Sequence, residues 1–304
     1  MATNREDPIY FALEAGGTKC IALISRGPHD ILAEASFPTN EPDKTLPAIQ
    51  TFFRDEGKDL RPNACGIASF GPIDLDPQSN SYGRIAKTPK PGWSGTSMRA
   101  IFTGYDCPVA VDSDVNGAVL AERQWGAGRG LSHLVYATIG TGIGAGVLRG
   151  DSCSHGAWHY EIGHWRPARH KDDAFPGICS FHRDCLEGLA AGPAIAARWG
   201  ASLSELPDDH PAHDMQAHYL GELCASLTFG FAPQRIILGG GVMNCPGLLA
   251  RVQSRTAEKI AGYAQWPEAQ NMATFIVAPG LGARAGVHGA IAVAQSALRR
   301  LEAL

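Results

Sequence analysis

Short apolar runs separated by glycines and polar turns dominate the chain. Strands are predicted where these runs are rich in β-branched and aromatic residues, and helices where apolar positions recur every three to four residues. In the first half the predicted elements are strands 9–13, 20–24 and 31–37, a helix near 46–54, strand 65–70, a helix around 97–103, strand 109–111 and helix 115–125.

The second half repeats this succession and adds a long insertion. A strand at 134–139 turns back into an apolar run at 147–148, and strands are predicted again at 235–238 and 274–277, each followed by a helix. Alternating strands and helices are typical of α/β sheets. The sequence therefore predicts a βββαβα-type unit used twice, with a lobe boundary near residue 115 and a ligand cleft between the lobes.

Two glycine-rich turns join the strands of predicted hairpins. The first is Gly16-Gly17-Thr18-Lys19, and the second begins at Gly140. Glycine lets backbone N–H groups converge without a Cβ in the way, and such a nest of N–H groups binds phosphate oxygens. Two turns of this kind, half a chain apart, indicate a protein that binds one polyphosphate, which points to a nucleotide.

Two other phosphate-binding motifs fit the chain less well. It lacks the G-x-x-x-x-G-K-[ST] pattern, so a P-loop fold is not expected. A G-x-G-x-x-A pattern occurs at 280–285, but no second strand ending in an acidic residue follows it, as a dinucleotide-binding fold requires. We expect these glycines to let a helix pack closely against a strand.

Composition describes an ordinary globular chain of 304 residues, 44% hydrophobic and 18% charged, with a net charge of −4. This charge gives no support for a nucleic-acid partner, and no apolar run approaches the roughly 20 residues that span a bilayer. The polar N-terminus lacks a signal-peptide core, so we expect a cytoplasmic protein without a membrane partner. Most of the eight cysteines lie singly beside apolar segments and are expected to pack as small hydrophobes.

Asp112, Ser113 and Asp114 follow the predicted strand 109–111 and open the helix 115–125. Ser113 or Asp114 could cap the first N–H groups of that helix. A carboxylate at this strand end could also face a substrate, and the two roles are compatible. Beside two phosphate-binding turns, such a carboxylate is suited to orient an alcohol and accept its proton during phosphoryl transfer.

Cysteine and histidine cluster in one segment of the predicted insertion. His164 is followed, after fourteen intervening residues, by Cys179, His182 and Cys185. Two thiolates and two imidazoles suit tetrahedral zinc, and four protein ligands leave no open position. The spacing therefore predicts a structural zinc ion that fixes the insertion. The remaining histidines have no such partners in the sequence and are expected to be solvated or packed.

Together these motifs resemble the ROK family of sugar kinases and repressors, within the hexokinase and actin-like ATPase superfamily. The resemblance extends from about residue 9 to residue 294 and rests on the ordered motifs at 14–19, 138–146, 161–187, 238–243 and 280–286. It implies an α/β, duplicated actin-like ATPase fold of the ribonuclease H-like type with two lobes. The lobes implied are a smaller one at 1–115 plus about 290–304, and a larger one at 116–289 that carries the zinc-binding insertion.

The resemblance also implies roles for individual residues. Asp114 would be the catalytic base, Glu14 would act on Mg²⁺ through a water molecule, and His164 would serve both zinc and sugar. The implied sugar contacts are Gly71, Ser113, Asp114, Glu161, His164 and Glu187. The implied nucleotide contacts are Glu14, Gly16, Gly17, Thr18, Lys19, Thr141, Gly142, Pro193, Gly239, Gly240, Gly241, Val242 and Met243. ATP, a hexose, Mg²⁺, structural Zn²⁺ and a second copy of the chain are the partners implied.

Several departures from the family pattern resemble the bacterial fructokinases. They are Glu14 in place of aspartate, His182 in place of a cysteine, Ser113 where glucose-specific members carry asparagine, and the segment 83–93. The implied reaction is ATP-dependent phosphorylation of fructose at its 6-hydroxyl. A kinase for glucose, mannose or an N-acetylhexosamine is the alternative, because the orientation of one hydroxyl separates these sugars. A non-catalytic sugar-sensing ROK protein is more remote, because we expect no DNA-binding helix-turn-helix before the first strand.

Overall fold

Two five-stranded sheets form the framework of the computed structural model, which describes residues 7–302. The first sheet has the strand order β3-β2-β1-β4-β5, in which β1 pairs antiparallel with β2 and parallel with β4. Its strands are β1 (Tyr10–Ala15), β2 (Lys19–Gly27), β3 (Asp30–Pro38), β4 (Ala64–Ser69) and β5 (Val109–Ser113).

The second sheet has the order β10-β9-β6-β7-β8, which is the order of the first sheet read from its other edge. Its strands are β6 (His133–Ile139), β7 (Ile143–Arg149), β8 (Ser152–Cys153), β9 (Arg235–Gly239) and β10 (Ile276–Val277). Each sheet thus begins with an antiparallel hairpin and continues with parallel strands. This equivalence confirms the predicted repeat and the two-sheet α/β fold.

Helices connect and cover the strands. They are α1 (Pro42–Glu56), α2 (Asp114–Trp125), α3 (Leu186–Ala190), α4 (Gly192–Trp199), α5 (Pro211–Phe231), α6 (Leu248–Ile260), α7 (Met272–Phe275) and α8 (Ala285–Glu302). In α6 the buried residues recur every fourth position, which gives the helix one buried, mainly apolar face. Within residues 7–302 no helix is both long and apolar enough to cross a membrane.

Small residues let α8 approach the first sheet closely. A Cβ at Gly66 of β4 would lie 2.3 Å from the carbonyl oxygen of Ala290, so no other residue fits there. Gly117 of α2 and Gly289 of α8 meet in the same way, since a Cβ at Gly289 would lie 2.5 Å from the carbonyl carbon of Gly117. The helix predicted after strand 274–277 therefore packs on β4 and α2 backbone to backbone.

The structure corrects two predicted elements. The strand predicted at 274–277 exists only as Ile276–Val277, because Met272–Phe275 form a helical turn. The Oδ1 atom of Asn271 caps that turn by accepting a hydrogen bond from the N–H of Ala273 at 3.1 Å. The helix predicted around 97–103 is a short 3₁₀ turn, Met98–Phe102.

The chain divides into two compact units. The first unit contains the residues up to Ala121, the segment His155–His159 and the residues from Arg284 onwards. The second contains Glu122–Ser154 and Tyr160–Ala283. Residues 1–6 and 303–304, which the sequence assigned to the smaller lobe, lie outside the described residues.

Candidate functional site

The first glycine-rich turn joins β1 to β2 in the first unit. The N–H of Gly16 donates to the carbonyl oxygen of Lys19 at 2.9 Å, which closes the turn. Gly17, Thr18 and Lys19 are exposed, whereas the strands on either side are largely buried. The sheet thus fixes a short, solvent-exposed turn, as a phosphate-binding nest requires.

Glu14, near the end of β1, is held beneath the first turn of α8. A Cβ at Gly286 would lie 2.1 Å from its Oε1 atom, so any other residue at position 286 would displace the carboxylate from its present position. Burial, and to a smaller extent the nearby charge of Asp114, raise the pKa of Glu14 to about 7, while Lys19 and Arg284 oppose the shift.

Asp114 is the first residue of α2 and directly follows β5. Its Oδ1 atom accepts a hydrogen bond from the N–H of Val115 at 2.9 Å, and the Oγ atom of Ser113 accepts from the N–H of Asn116 at 3.2 Å. Both side chains therefore bond to the first turn of the helix, which is the capping role expected of this segment. Burial raises the pKa of Asp114 to about 6, so this carboxyl is suited to exchange a proton near neutral pH.

The segment His155–His159, from the middle of the chain, belongs to the first unit and contacts residues near the start of α2 and in the loop after β4. The Nε2 atom of His155 lies 3.0 Å from the Nδ2 atom of Asn116, whose amide also donates to Asp112 at 2.7 Å. The Nε2 atom of His159 accepts a hydrogen bond from the N–H of Ile73 at 3.1 Å. Sequence reasoning missed both histidines, because their partners lie far away in the sequence.

Gly71, a predicted sugar contact, lies beside the His159 ring. A Cβ at Gly71 would come within 3.1 Å of the Cε1 atom of that ring. Gly71, Ser113 and Asp114 all belong to the first unit. Segment 155–159 thus brings two imidazoles against the loop and the helix start that carry these three residues.

The second glycine-rich turn joins β6 to β7 in the second unit. The N–H of Gly140 donates to the carbonyl oxygen of Gly142 at 2.9 Å, and the N–H of Gly192 donates to the carbonyl oxygen of Gly140 at 2.8 Å. Glu187 supports the far side of the turn, because its Oε2 atom accepts from the N–H of Ile143 at 3.0 Å. One oxygen of this predicted sugar contact is therefore already engaged with the backbone.

A cavity of about 400 Å³ opens beside this turn within the second unit. Four residues predicted to contact the nucleotide line it, namely Thr141, Pro193, Gly241 and Val242. The other predicted nucleotide contacts of this unit, Gly142, Gly239, Gly240 and Met243, are not among the lining residues. Its size is in the range of small-molecule sites.

Five lining residues were missed by sequence reasoning, namely Gly192, Ile195, Ser202, Leu203 and Ser204, and the last three belong to one short turn. The Oε2 atom of Glu205 accepts a hydrogen bond from the N–H of Ser202 at 2.8 Å and so fixes this 3₁₀ turn. The S-x-x-E pattern at 202–205 was the available signal, since it marks a capping box. It predicts a turn, but the pattern does not say that the turn borders a cavity.

The four predicted metal ligands come together. The potential ligand atoms of His164, Cys179, His182 and Cys185 all lie within 4.8 Å of one another. The Sγ atom of Cys179 is 3.8 Å from His164 Nδ1 and 3.9 Å from His182 Nδ1, and the Sγ atom of Cys185 is 3.6 Å from His164 Nδ1. A tetrahedral zinc ion would place sulfur and nitrogen ligands about 3.6 Å apart. The donor set and its spacing therefore fit zinc.

Backbone packing holds these ligands in place. A Cβ at Gly163 would lie 1.9 Å from the carbonyl oxygen of Ile143, so the turn carrying His164 sits directly on β7. The N–H of Arg183 donates to the carbonyl oxygen of Cys179 at 2.9 Å, which closes the loop that carries the other ligands. Glu161, a predicted sugar contact, is exposed at the start of the His164 turn.

The repeated fold, the two glycine-rich turns and the Cys/His cluster define a class of protein. The chain belongs to the ROK family, whose model matches residues 10–297. A fructokinase of Zymomonas mobilis is 42% identical to it over 97% of this chain and 99% of that protein. A fructokinase of Pediococcus pentosaceus is 37% identical over 95% of this chain and 98% of that protein.

The fold comparison agrees with these relatives. The crystal structure of a ROK hexokinase from Thermus thermophilus matches this structure with a TM-score of 0.75 at 26% identity, covering 97% of this chain and 100% of that one. The predicted membership of the ROK family and similarity to bacterial fructokinases are confirmed.

Proposed function

We propose that this protein transfers the γ-phosphoryl group of ATP to the 6-hydroxyl of fructose. The observation that carries the proposal is the carboxyl of Asp114, which has a pKa raised to about 6 and starts a helix in the same unit as the first phosphate-binding turn. The prediction of a sugar kinase of the fructokinase type is confirmed by relatives that bear this name and match over nearly their whole length. The residue roles that follow are our assignment.

Asp114 accepts the proton of the sugar hydroxyl as that oxygen attacks the γ-phosphorus. A carboxylate with a pKa near the working pH is ionised often enough to act and still takes the proton readily. The bond between Val115 N–H and Oδ1 fixes the carboxyl, so that its orientation does not have to be found during the reaction. Little covalent chemistry remains for the protein in phosphoryl transfer, where positioning and charge stabilisation supply most of the rate.

The nucleotide is assigned to the two turns and to the cavity beside the second one. The N–H groups of Gly17 and Thr18 would donate to phosphate oxygens, while Thr141, Pro193 and Val242 would enclose the adenosine. Mg²⁺ prefers oxygen ligands and keeps several waters, and the buried carboxylate of Glu14 offers oxygens that fit it through such a water. When bound, the cation would neutralise charge on the phosphates.

We assign the sugar to the contacts that the resemblance to the family implies, namely Gly71, Ser113, Asp114, Glu161, His164 and Glu187. Ser113 Oγ already accepts the N–H of Asn116, which leaves its O–H to donate to a sugar oxygen. A serine here is shorter than the asparagine of glucose-specific relatives and leaves room for a furanose ring. We propose on this ground that fructose is preferred over glucose, mannose and N-acetylhexosamines.

A coupled assay of ADP release across a panel of hexoses tests the substrate. Fructose is expected to exceed glucose in kcat/KM by about tenfold or more, because a mismatched sugar leaves buried polar groups without partners. Equal or better turnover of glucose, mannose or N-acetylmannosamine would overturn the choice of fructose but not of a kinase. ATP turnover without dependence on any sugar would overturn the kinase as well.

We further propose that one zinc ion per chain is bound by His164, Cys179, His182 and Cys185 in a structural role. Metal analysis of protein purified without added metal is expected to find the ion. Cys179→Ser should release it and lower the melting temperature, because ligand binding energy is folding energy in such a site. Cys153→Ser, a half-buried cysteine of the same unit, is the control and should keep the metal. Fully stable protein without zinc would contradict the assignment.

The lobes, the oligomeric state and the cellular location are also open to proposal. We propose that the two compact units are the two lobes expected from the sequence, and that the protein is a cytoplasmic homodimer, as the resemblance to the family implies. Light scattering after size-exclusion chromatography tests the dimer, and fractionation of expressing cells tests the location.

A further inference from the structure

Donors from two distant segments bind the carbonyl groups of the first turn. The Oγ1 atom of Thr39 donates to the carbonyl oxygen of Gly16 at 2.8 Å, and its N–H donates to the carbonyl oxygen of Thr18 at 2.9 Å. The ammonium group of Lys90 donates to the carbonyl oxygen of Gly17. Three consecutive carbonyl groups of the turn are therefore each bound by a donor from outside it.

This arrangement determines where the N–H groups of the turn point. In a trans peptide the carbonyl of one residue and the N–H of the next point in opposite directions. Donors on the carbonyls of Gly16 and Gly17 therefore orient the N–H groups of Gly17 and Thr18 away from Thr39 and Lys90. Across residues 7–302 no acceptor within the protein pairs with these two N–H groups, so they are left for a ligand.

Lys90 adds charge as well as a hydrogen bond. In the described part of the chain no carboxylate forms an ion pair with it, and its ammonium group lies 5.8 Å from the centre of the Phe70 ring. The side chain is half-buried, so less solvent screens its charge than would screen a fully exposed lysine. A positive charge at one edge of the turn raises the electrostatic potential at the N–H groups on its other side.

The sequence places Lys90 there through an anchored loop. Trp93 is fully buried, and its indole N–H donates to the carbonyl oxygen of Asn40 at 2.8 Å, next to Thr39. The loop that resembles the fructokinases is thus tied to the same strand end that supplies Thr39. Segment 83–93, which resembles the fructokinases, therefore has a physical role away from the sugar.

We propose that Lys90 and Thr39 are positioning residues that orient the first turn for nucleotide phosphate. The proposal rests on the proposed function, since it presumes that this turn binds ATP. Neither residue needs to touch the nucleotide, because both act through the carbonyl groups of Gly16 and Gly17. Their effect should therefore appear in nucleotide affinity rather than in sugar affinity.

The test compares Lys90→Met with Lys87→Met, which removes an exposed charge from the same loop. Calorimetry with a non-hydrolysable ATP analogue and Mg²⁺ should show affinity weakened about tenfold or more in Lys90→Met, the size of one hydrogen bond to a charged group. The KM for ATP should rise in parallel, while the KM for fructose stays within about twofold. Lys87→Met should behave as the wild type, and Lys90→Arg should recover part of the affinity.

Substitutions of Thr39 test the same proposal independently and change no charge. Thr39→Val keeps the shape of the side chain and removes the hydroxyl that holds Gly16, so it should also weaken the analogue. Thr39→Ser keeps the hydroxyl and should restore binding. Thermal unfolding of each variant, with a melting temperature near that of the wild type, separates this effect from misfolding.

The outcomes distinguish this inference from the proposed function. If the wild-type protein binds the analogue and Lys90→Met binds it equally well, the positioning role is wrong and the kinase assignment stands. If the wild type neither binds the analogue nor turns over ATP, the proposed function itself is wrong. A rise in the fructose KM alone would also overturn the inference, since it would place Lys90 at the sugar.

Discussion

Replacing Asp114 with asparagine should remove the catalytic base and at the same time stabilise the protein. Asparagine has nearly the same shape, and its side-chain oxygen can still accept the N–H of Val115, so the start of α2 should be preserved. It cannot accept a proton from the sugar. We expect kcat to fall by at least about a hundredfold, the scale for loss of a general base, while sugar binding is largely kept.

The gain in stability follows from the shifted pKa. Folding raises the pKa of the Asp114 carboxyl from 3.8 to about 6, so the folded state holds this proton more tightly than the unfolded chain. The associated stability is fully present below the unfolded value and is lost as the pH rises through about 6. At about 1.4 kcal/mol per pKa unit, the buried charge costs up to about 3 kcal/mol at pH 7.

Urea unfolding of both proteins at two pH values tests this reasoning. The Asp114→Asn variant is expected to be more stable than the wild type by up to about 3 kcal/mol at pH 7, but only by about 1 kcal/mol at pH 4.5, where the wild-type carboxyl is largely protonated. A variant that keeps most of its turnover would refute the role as base. A stability difference independent of pH would refute the electrostatic argument while leaving the kinetic one.

Three further predictions concern the carboxylates and the cavity. The value of kcat/KM should rise between pH 5 and pH 8, because Asp114 and Glu14, whose pKa values are raised to about 6 and about 7, must both lose their protons; a flat profile would contradict this. Gly286→Ala should destabilise the protein by about 1–3 kcal/mol and lower kcat, because its Cβ would lie 2.1 Å from Glu14 Oε1, and an unfolding curve together with an activity assay would detect both changes. Gly241→Trp should fill the cavity of the second unit and raise the KM for ATP about tenfold or more. The control Gly230→Trp, at an exposed site with open space around it, should leave that KM unchanged. Equal ATP kinetics in both variants would argue against nucleotide in the cavity.

Local chemistry explains which features the sequence could predict. Residue types that lie close together in the sequence are enough to predict some features. These are the turns at Gly16 and Gly140 and the set of metal ligands from His164 to Cys185. The strand predicted at 274–277 is shortened to Ile276–Val277 because Asn271 caps a helical turn there, and a cap competes with strand pairing over only a few residues.

Contacts between distant segments account for what was missed. No local pattern shows that His155 reaches Asn116, or that Ser202 borders the same cavity as Thr141, because these pairs meet only once the chain is folded. Lys90 belongs to the same category, since its loop could be recognised by resemblance while its partner, the carbonyl of Gly17, could not. Residue types in the sequence therefore indicated a phosphate-binding and metal-binding protein, but they did not identify every residue of the candidate site.

The third strands of the two sheets differ in length, and this difference shows where the second repeat accommodates additional residues. In the first sheet the third strand, β3, has nine residues, whereas its counterpart β8 has two. A strand this short fills only a small part of the sheet edge, so the residues that follow it take no part in the sheet. The chain that follows β8 contains His155, His159 and the four clustered cysteine and histidine residues. The additional residues of the second repeat thus follow a short edge strand, where few ladder hydrogen bonds are lost, while the hairpins that carry the glycine-rich turns are paired antiparallel in both sheets.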